Sequence, residues 1–392
     1  MLKYIAIHIV RFLLTVFYVF PINKKKIFFS SFNGKKYFCN PKYIFLDLYK
    51  KKPQLKYVWC LNQYCAELSE NVNVVKVKYK TLLWIYHLLT AKVIIFNTNL
   101  DIFMPYRKSQ VIINTWHGGG AYKRVAFAIH SKKNDSYINK KYWREIILRI
   151  VFNTTTKYMT YFISSGKVFS DVMHESYHIP YIKYFPVGMP RNDIFFKNND
   201  DLIFPLKNYF NIPLNNGVVL YAPTFRGVHS YLETQAVIKL DIDRLKLILK
   251  EKFKKEYICL FRGHPSLLNN LYCDDAINVS SYDDMQELLL IADVLITDYS
   301  SSIWDFSLTK KPCFLFTPDL DLYLSHDRGF YTPIEEWPYP FARTNEELCN
   351  NIINFDKTIY EAKIKKHHED LGSYEQGTAS QKVTKLLQEI FK

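Results

Sequence analysis

A histidine that precedes three glycines is the feature of this sequence best suited to chemistry. His117 comes shortly after the apolar, strand-like run VIIN, and Gly118, Gly119, Gly120 and then Lys123 follow it. Residues without a Cβ allow a ligand to approach the backbone closely, and a histidine needs only a modest pKa change to act as a general base. The pattern predicts a catalytic histidine; the alternative is a hydrogen-bonded loop histidine beside a tight turn.

Basic residues follow two further strand-like runs. Arg226 comes after the run that ends at Tyr221, and Arg262 and His264 come at the end of the run YICLF. A guanidinium can bind a phosphate through two parallel hydrogen bonds, which a lysine cannot do. These three residues are therefore candidate phosphate ligands, although a surface salt bridge is an alternative role for Arg226.

A run of hydroxyl residues gives the most specific signal. The buried, strand-like run VLIT ends at Thr297 and continues into Asp298, Ser300, Ser301 and Ser302 before a helical segment. Hydroxyl groups and free amides at the start of a helix can bind an anion. An ordinary serine cap, with Asp298 bonded to the turn, is the alternative, but three consecutive serines favour an anion site.

A polar loop near residue 320 contains several carboxylates and an arginine. Asp319, Asp321 and Asp327 lie close to Arg328 in PDLDLYLSHDRGFY. Sites for Mg²⁺ need a tighter cluster of oxygen ligands than this spacing provides. We therefore predict no metal, and we keep Arg328 as a candidate substrate contact.

Strand-sized apolar runs alternate with helix-sized segments from Lys26 onward, which predicts an α/β fold with parallel sheets. The Asn- and Asp-rich segment 198–217 reads as a linker between two doubly wound domains, 23–197 and 217–392. Such domains would face each other across a cleft at the carboxyl ends of their strands. We expect strands at 26–31, 56–61, 73–78, 92–97, 111–115, 161–164, 217–222, 256–262, 276–280, 293–297 and 312–316.

Residues 1–22 are predicted to form a membrane-associating helix. The segment is almost entirely apolar but short for a membrane span. Its polar exceptions share one helical stripe, which favours a helix lying in the membrane interface; the alternative is a helix packed on the protein itself. The stripe consists of Tyr4, His8, Arg11, Thr15 and Tyr18.

The composition points to an acidic partner and a reducing compartment. The chain of 392 residues has a formal net charge of +15. That excess suits nucleic acid, anionic lipid or a phosphate-rich substrate. The seven cysteines show no CxxC pairing, which predicts reduced thiols in a cytosolic protein.

Taken together, the motifs resemble the CDP-glycerol glycerophosphotransferase family. The blocks that carry the resemblance occur in the family's order over about residues 26–350: WHGGG, YAPTFRG, RGHP, ITDYSSSIWDF and DLDLY…RGFY. The resemblance implies a glycosyltransferase-B type fold with an acceptor domain followed by a donor-binding domain. It also implies transfer of glycerol phosphate from CDP-glycerol to an acceptor hydroxyl, with release of CMP.

The resemblance also assigns roles to residues and a location. His117 would be the base, His264 would contact the diphosphate, and Arg226, Thr297, Ser300 and Ser301 would surround the donor phosphates. The acceptor would be a lipid-linked saccharide or a growing polyol-phosphate or capsular polymer. The enzyme would work at the cytoplasmic face of a bacterial membrane, without a cofactor, a metal or a nucleic acid.

One departure from the family leaves the substrate open. Many members carry a Thr-Pro-Leu-Lys run after His-Gly, where this chain has Gly119, Gly120, Ala121, Tyr122 and Lys123. A loop at this position would touch the acceptor or the donor polyol. The transferred unit could therefore be ribitol phosphate, and a nucleotide-sugar glycosyltransferase or a basic membrane- or nucleic-acid-binding scaffold remain alternatives.

Overall fold

Two parallel sheets organise this computed structural model, which describes residues 2–69, 73–129, 138–224, 240–263, 275–326 and 329–392. The chain divides into two units. The first unit contains Met1–His117, Ala126–Asp193 and Tyr374–Lys392, and the second contains Gly118–Val125 and Ile194–Ser373.

The first unit is built on a sheet of seven parallel strands in the order β3-β2-β1-β4-β5-β6-β7. Ile27, Phe28 and Phe29 follow one another in β1, so their side chains alternate between the two faces of the sheet, and all three are buried. Apolar residues on both faces of a central strand are typical of a sheet covered on both sides. The strands are β1 Asn23–Ser30, β2 Lys56–Cys60, β3 Val74–Val77, β4 Ala91–Phe96, β5 Val111–Asn114, β6 Tyr161–Ser164 and β7 Tyr184–Pro186.

Helices connect most of these parallel strands, as is usual for crossover connections. The helix α4 begins at Thr81, whose hydroxyl accepts a hydrogen bond from the Trp84 amide at 3.2 Å, a common way of satisfying the free amides of a first turn. The helices of this part of the chain are α1 Leu2–Leu14, α2 Cys39–Lys51, α3 Ala66–Ser69, α4 Leu82–Thr90, α5 Ile138–Tyr158 and α6 Lys167–Tyr177.

The second unit has a sheet of six parallel strands in the order β10-β9-β8-β11-β12-β13. Counted from β8, this order is the 3-2-1-4-5-6 order of nucleotide-binding folds, in which ligands bind where the order reverses. That point lies between β8 and β11. The strands are β8 Gly217–Ala222, β9 Tyr257–Phe261, β10 Ile277–Asn278, β11 Val294–Thr297, β12 Cys313–Phe316 and β13 Phe341–Ala342.

The helices of the second unit begin at short polar side chains. Asp241, Thr344 and Asp356 each accept a hydrogen bond from a first-turn amide, at 3.0, 3.1 and 2.9 Å. The remaining helices of the chain are α7 Asp200–Tyr209, α8 Ile242–Phe253, α9 Met285–Ile291, α10 Ser302–Ser307, α11 Leu320–His326, α12 Asn345–Ile353, α13 Lys357–Asp370 and, in the first unit, α14 Ala379–Ile390.

The predicted α/β class and the predicted strands are confirmed. Two edge strands, β7 and β13, were not predicted, because they are three and two residues long and lack an apolar run of strand length. The predicted linker 198–217 contains the helix α7, which has Pro205 inside it.

The structure groups two segments differently from the predicted domains 23–197 and 217–392. Residues 118–125 belong to the second unit, and the C-terminal residues 374–392 belong to the first. The second difference has a clear cause, since the Asp193 carboxylate accepts hydrogen bonds from the amides of Ala379 and Ser380 at 2.9 and 2.7 Å.

The N-terminal segment packs on the protein through two residues of its polar stripe, Arg11 and Tyr18. The Arg11 guanidinium donates to Ile102 O and, at 2.8 Å, to Thr154 Oγ1, and the Tyr18 hydroxyl donates to Pro105 O. Large apolar side chains of the same segment are exposed to solvent: Ile5, Ile9, Val10, Phe12, Leu13, Val16, Val19 and Phe20. Within the described ranges, we find no helix of the length and apolar character that crossing a membrane requires.

Candidate active site

His117 lies in a sharp turn after β5. Trp116 has φ +51°, a left-handed conformation that is costly for a bulky residue and is often found at functional sites. The Asn40 amide supports the turn, since its Nδ2 donates to Thr115 O at 2.9 Å and to Trp116 O at 3.1 Å. Arg191 donates to His117 O at 2.9 Å. Hydrogen bonds from Asn40 and Arg191 thus hold the backbone before His117 and at His117 itself.

The contacts of the imidazole determine its tautomer. Nδ1 of His117 lies 2.7 Å from Asn97 O. A carbonyl oxygen can only accept, so Nδ1 must carry the proton in the neutral ring, and Nε2 holds the lone pair. A neutral imidazole with its lone pair on Nε2 is the form that a general base needs.

Aromatic rings fix the plane of the imidazole. The ring centroids of Trp116 and Phe32 lie 4.5 and 5.1 Å from that of His117. Phe32 begins a run of three left-handed residues after β1, with φ values of +45°, +57° and +79° through Gly34, and its amide donates to Asn97 Oδ1 at 2.9 Å. Because β1 and β4 flank the point where strand order reverses, His117 lies at the ligand-binding position of the first sheet.

The space next to the three glycines is occupied by side chains of the protein. A Cβ on Gly119 would overlap the indole of Trp304 in α10. Gly120 has φ +75°, and a Cβ there would lie 2.9 Å from Trp304 Cε3. Gly118 lies beside the Ser301 hydroxyl, which would be 3.2 Å from an added Cβ. The structure therefore brings Gly118, Gly119 and Ser301 together within the second unit.

The three serines form a compact group. Ser302 Oγ donates to Ser300 Oγ at 2.9 Å, and Ser300 and Ser301 are half-buried. Ser302 is buried and starts α10, which is only six residues long. Ser300 and Ser301 thus lie where a ligand of the second unit can reach them, whereas Ser302 supports the turn.

Thr297 and Asp298 link two neighbouring strands of the second unit. Thr297 is fully buried, and its hydroxyl donates to Ala222 O at 2.6 Å. The Asp298 carboxylate is also buried and accepts from the Thr224 amide at 2.9 Å and from the Thr224 hydroxyl. Both side chains tie the end of β8 to the end of β11, and their predicted contacts with a ligand stay predictions.

Arg262 is half-buried at the carboxyl end of β9. Its Nη2 donates to Asp283 O at 3.3 Å, and within the part of the chain that the structure describes, Nη1 has no hydrogen-bond partner. Burial lowers the pKa of its guanidinium, while the nearby carboxylates of Asp284 and Asp283 raise it. Arg262 therefore has donor groups that an anionic ligand could use.

Three predicted site residues, Arg226, His264 and Arg328, lie outside the described residues. Lys123 pairs with Phe330 through an antiparallel bridge, and its ammonium lies 5.5 Å from the centroid of the Tyr323 ring. Lys123 is thus close in space to the segment that follows Arg328.

Two carboxylates near residue 320 bond to other side chains of the protein. Asp319 accepts from the Tyr299 hydroxyl at 3.1 Å, and Asp321 forms a salt bridge with Arg343 at 3.1 Å. In the ranges described, no group of three or more His, Cys, Asp or Glu residues is arranged to hold a metal ion.

Sequence reasoning missed the residues that hold His117 in place. Asn97 follows β4 directly, so the rule that functional residues lie just after strands would have identified it. Asn40 and Arg191 carried no such signal, because they lie 75 residues before Thr115 and 74 residues after His117. Only the folded chain brings them together.

Known proteins resemble the chain over almost its whole length. The family model for CDP-Glycerol:Poly(glycerophosphate) glycerophosphotransferase matches residues 12–389. The teichoic acid poly(glycerol phosphate) polymerase of Bacillus subtilis is 31% identical over 376 residues, which are 93% of this chain and 48% of that protein. The teichoic acid glycerol-phosphate transferase of Staphylococcus aureus is 28% identical, and the match covers 94% of this chain and 94% of that protein. The chain thus spans about half of the first relative and nearly all of the second.

A solved structure extends the likeness to the fold. A variant of the wall teichoic acid polymerase TagF, soaked with CDPG, superimposes with a TM-score of 0.80 at 26% identity, covering 100% of this chain and 96% of that one. The motifs, both sheets and the matched length agree: the chain belongs to the CDP-Glycerol:Poly(glycerophosphate) glycerophosphotransferase family.

Proposed function

We propose that this protein transfers glycerol phosphate from CDP-glycerol to a hydroxyl of a lipid-linked or polymeric acceptor and releases CMP. The observation that carries the proposal is the hydrogen bond from His117 Nδ1 to Asn97 O, which leaves Nε2 as the basic nitrogen. Family membership supports CDP-glycerol as the donor, and we propose that the first unit, which contains His117, binds the acceptor.

The reaction is an in-line displacement at the β-phosphorus of CDP-glycerol. His117 Nε2 takes the proton of the acceptor hydroxyl while the oxygen–phosphorus bond forms. The bond from the β-phosphorus to the bridging oxygen breaks, and the electron pair leaves with CMP. Arg262, Ser300 and Ser301 of the second unit would stabilise the charge that develops on the phosphates. Arg226 and His264 keep the phosphate-binding roles that were predicted from the sequence.

We also propose that the protein binds the cytoplasmic face of a bacterial membrane through its N-terminal segment. Arg11 and Tyr18 bond to the protein, while large apolar side chains of the same segment face solvent, with Phe12 75% and Val16 67% exposed. Exposed lysines at Lys24 and nearby would suit anionic headgroups. A helix with one apolar face lies in the interface of a membrane.

The test of the proposed reaction is release of CMP by the purified chain from CDP-glycerol, with CDP-ribitol in parallel and a synthetic polyol-phosphate lipid as acceptor. We expect acceptor-dependent release from CDP-glycerol. Release from CDP-ribitol alone would change the polyol, and turnover of a nucleotide sugar alone would favour a glycosyltransferase. Salt-sensitive RNA binding without turnover of any donor would support a nucleic-acid-binding scaffold instead.

A further inference from the structure

The segment that follows His117 is fastened to the second unit by a buried tyrosine. We call residues 118–125 the glycine loop. Tyr122 is 4% exposed, and its hydroxyl lies 2.8 Å from His367 Nε2 and 3.1 Å from the Tyr339 hydroxyl. The Tyr122 and His367 rings stack, with centroids 5.7 Å apart and planes 14° apart. The loop is therefore joined to α13 by both a hydrogen bond and ring packing.

The hydrogen bonds around Tyr122 have one consistent direction. The Tyr339 hydroxyl donates to Ile303 O at 3.1 Å, so its single proton is not available to Tyr122. Tyr122 must then donate to Tyr339, and His367 must donate from Nε2 to Tyr122. The chain of donors runs from α13 through the glycine loop to α10, and each hydroxyl proton is used once.

The acid–base properties of His367 and Tyr122 agree with these hydrogen-bond directions. Burial lowers the pKa of His367 to about 4 and raises the pKa of Tyr122 well above 10.0. Both side chains are therefore neutral near pH 7. The groups that face His367 include His368 and Asp370 of its own helix and Tyr122 and Tyr339 from the elements packed on it.

This series of hydrogen bonds ends at Ile303, next to the residue that contacts the glycines. Ile303 directly precedes Trp304, whose indole fills the space next to Gly119 and Gly120. The backbone of the loop is also paired, since Tyr331 N donates to Tyr122 O at 3.0 Å. The glycine loop is thus held by α10, by α13 and by the segment that includes Tyr331, and its first residue is bonded covalently to His117.

We infer that His367 is a positioning residue, which acts through Tyr122 to hold the glycine loop against Trp304 and Ser301. This arrangement gives Gly119 and Tyr122 of the glycine loop separate roles. Gly119 leaves room for the Trp304 indole, and Tyr122 supplies the hydroxyl that His367 binds. The effect on rate rests on the proposed function, whereas the effect on the loop does not.

The variants separate positioning from general stability. Tyr122→Phe and His367→Leu each remove the hydrogen bond, and the double variant removes it once. His367→Gln keeps an N–H that can donate to Tyr122. The matched control is Tyr57→Phe, which removes another buried tyrosine hydroxyl, bonded to Lys52 O at 2.8 Å in the first unit.

Two readouts are measured on the full chain, and thermal unfolding confirms that each variant folds. The first is hydrogen exchange of peptides that cover residues 118–125. We expect faster exchange there in Tyr122→Phe and His367→Leu, but wild-type exchange in Tyr57→Phe. The second is steady-state CMP release, in which we expect kcat to fall on the order of 10- to 100-fold, since small misplacements of catalytic groups have effects of this size, while KM for CDP-glycerol changes little.

Non-additivity and rescue complete the test. His367→Leu should slow the Tyr122→Phe protein by less than it slows the wild type, because the hydrogen bond between the two side chains is already absent. His367→Gln should recover most of kcat. Unchanged exchange in the loop would overturn the inference whatever the reaction is. Faster exchange with unchanged kcat would also overturn it, since the contact would then be structural only. If the wild type releases no CMP, the proposed function fails and the exchange data alone decide whether His367 holds the loop.

Discussion

The glycine loop leaves almost no freedom at Gly119. A methyl group added to the Cα of Gly119 would overlap the Trp304 indole. Overpacking of this kind costs about 1–3 kcal/mol or displaces the backbone. Since the backbone at this point continues directly from His117, displacement is expected to affect the reaction more than the stability.

Gly119→Ala should therefore lower kcat for CMP release, on the order of 100-fold if the loop moves by about 1 Å. Gly118→Ala should have a smaller effect, because its new Cβ would lie 3.2 Å from the Ser301 hydroxyl and needs only a small adjustment. Adding Trp304→Phe to Gly119→Ala should restore part of the activity. Normal turnover by a folded Gly119→Ala protein would contradict the packing described here.

Arg262 should contribute to donor binding as a guanidinium and not only as a positive charge. We predict that Arg262→Lys lowers kcat/KM for CDP-glycerol on the order of 10-fold or more, because an ammonium cannot make two parallel hydrogen bonds to a phosphate. The matched control is Arg343→Lys, at an exposed salt bridge with Asp321. Equal kinetics for the two variants would remove Arg262 from the site.

Some residues of the site could be predicted from sequence and others could not. His117, Arg262 and the serines at 300 and 301 follow apolar runs, and the carboxyl ends of parallel strands are where ligands bind. Thr297 follows the same rule but faces Ala222 O, because the direction of a side chain depends on the neighbouring strand. Tyr122 showed no sign of a role in the sequence, because its partner His367 is 245 residues away.

At the scale of elements, the N-terminal helix is the clearest candidate for contact with lipid. Its sequence predicted an amphipathic helix, but only the structure shows which face is occupied. Arg11 bonds to Ile102 and Thr154, so part of the polar stripe is used for packing on the protein. Large apolar side chains such as Phe12 and Val16 are left exposed, which would favour contact with a membrane interface.

We predict that the wild-type chain co-sediments with vesicles containing anionic phospholipid and that Phe12→Asp combined with Val16→Asp abolishes this binding. Both side chains are largely exposed, so the change should leave folding intact. The matched control is Leu247→Asp, at an exposed leucine of α8 in the second unit. Wild-type binding by the double variant, or loss of binding by Leu247→Asp, would exclude the N-terminal segment as the contact.

At the scale of the whole molecule, buried histidines make stability depend on pH. Burial lowers the pKa of His87, His367 and His368 to about 4, from an ordinary value of 6.5. Between these values the unfolded chain binds more protons than the folded chain. The contribution of these groups to stability is therefore complete above pH 6.5 and is lost as the pH falls toward 4.

The free energy of unfolding, measured by urea denaturation, should therefore decrease steadily from pH 7 to pH 4.5. His368→Gln removes one of the titrating groups and should make this decrease less steep, even though it weakens the contact of that side chain with Ser307. An equally steep decrease in the variant would show that other groups cause the acid sensitivity.

The two parallel sheets follow from the sequence better than the membership of the units does. Alternating apolar runs and helical segments predict parallel sheets with crossovers, and both sheets have that form. The return of residues 374–392 to the first unit rests on contacts such as Asp193 with Ala379. A local pattern carries no information about a partner so distant in the chain.

The central claim is that His117 acts as the base of a glycerophosphate transfer. The measurement that tests it most directly is acceptor-dependent release of CMP from CDP-glycerol by His117→Ala, compared with wild type at matched folding. We predict a loss of turnover on the order of 100- to 10,000-fold, the usual contribution of a general base, with donor binding retained. Near-normal turnover by the folded variant would contradict the account.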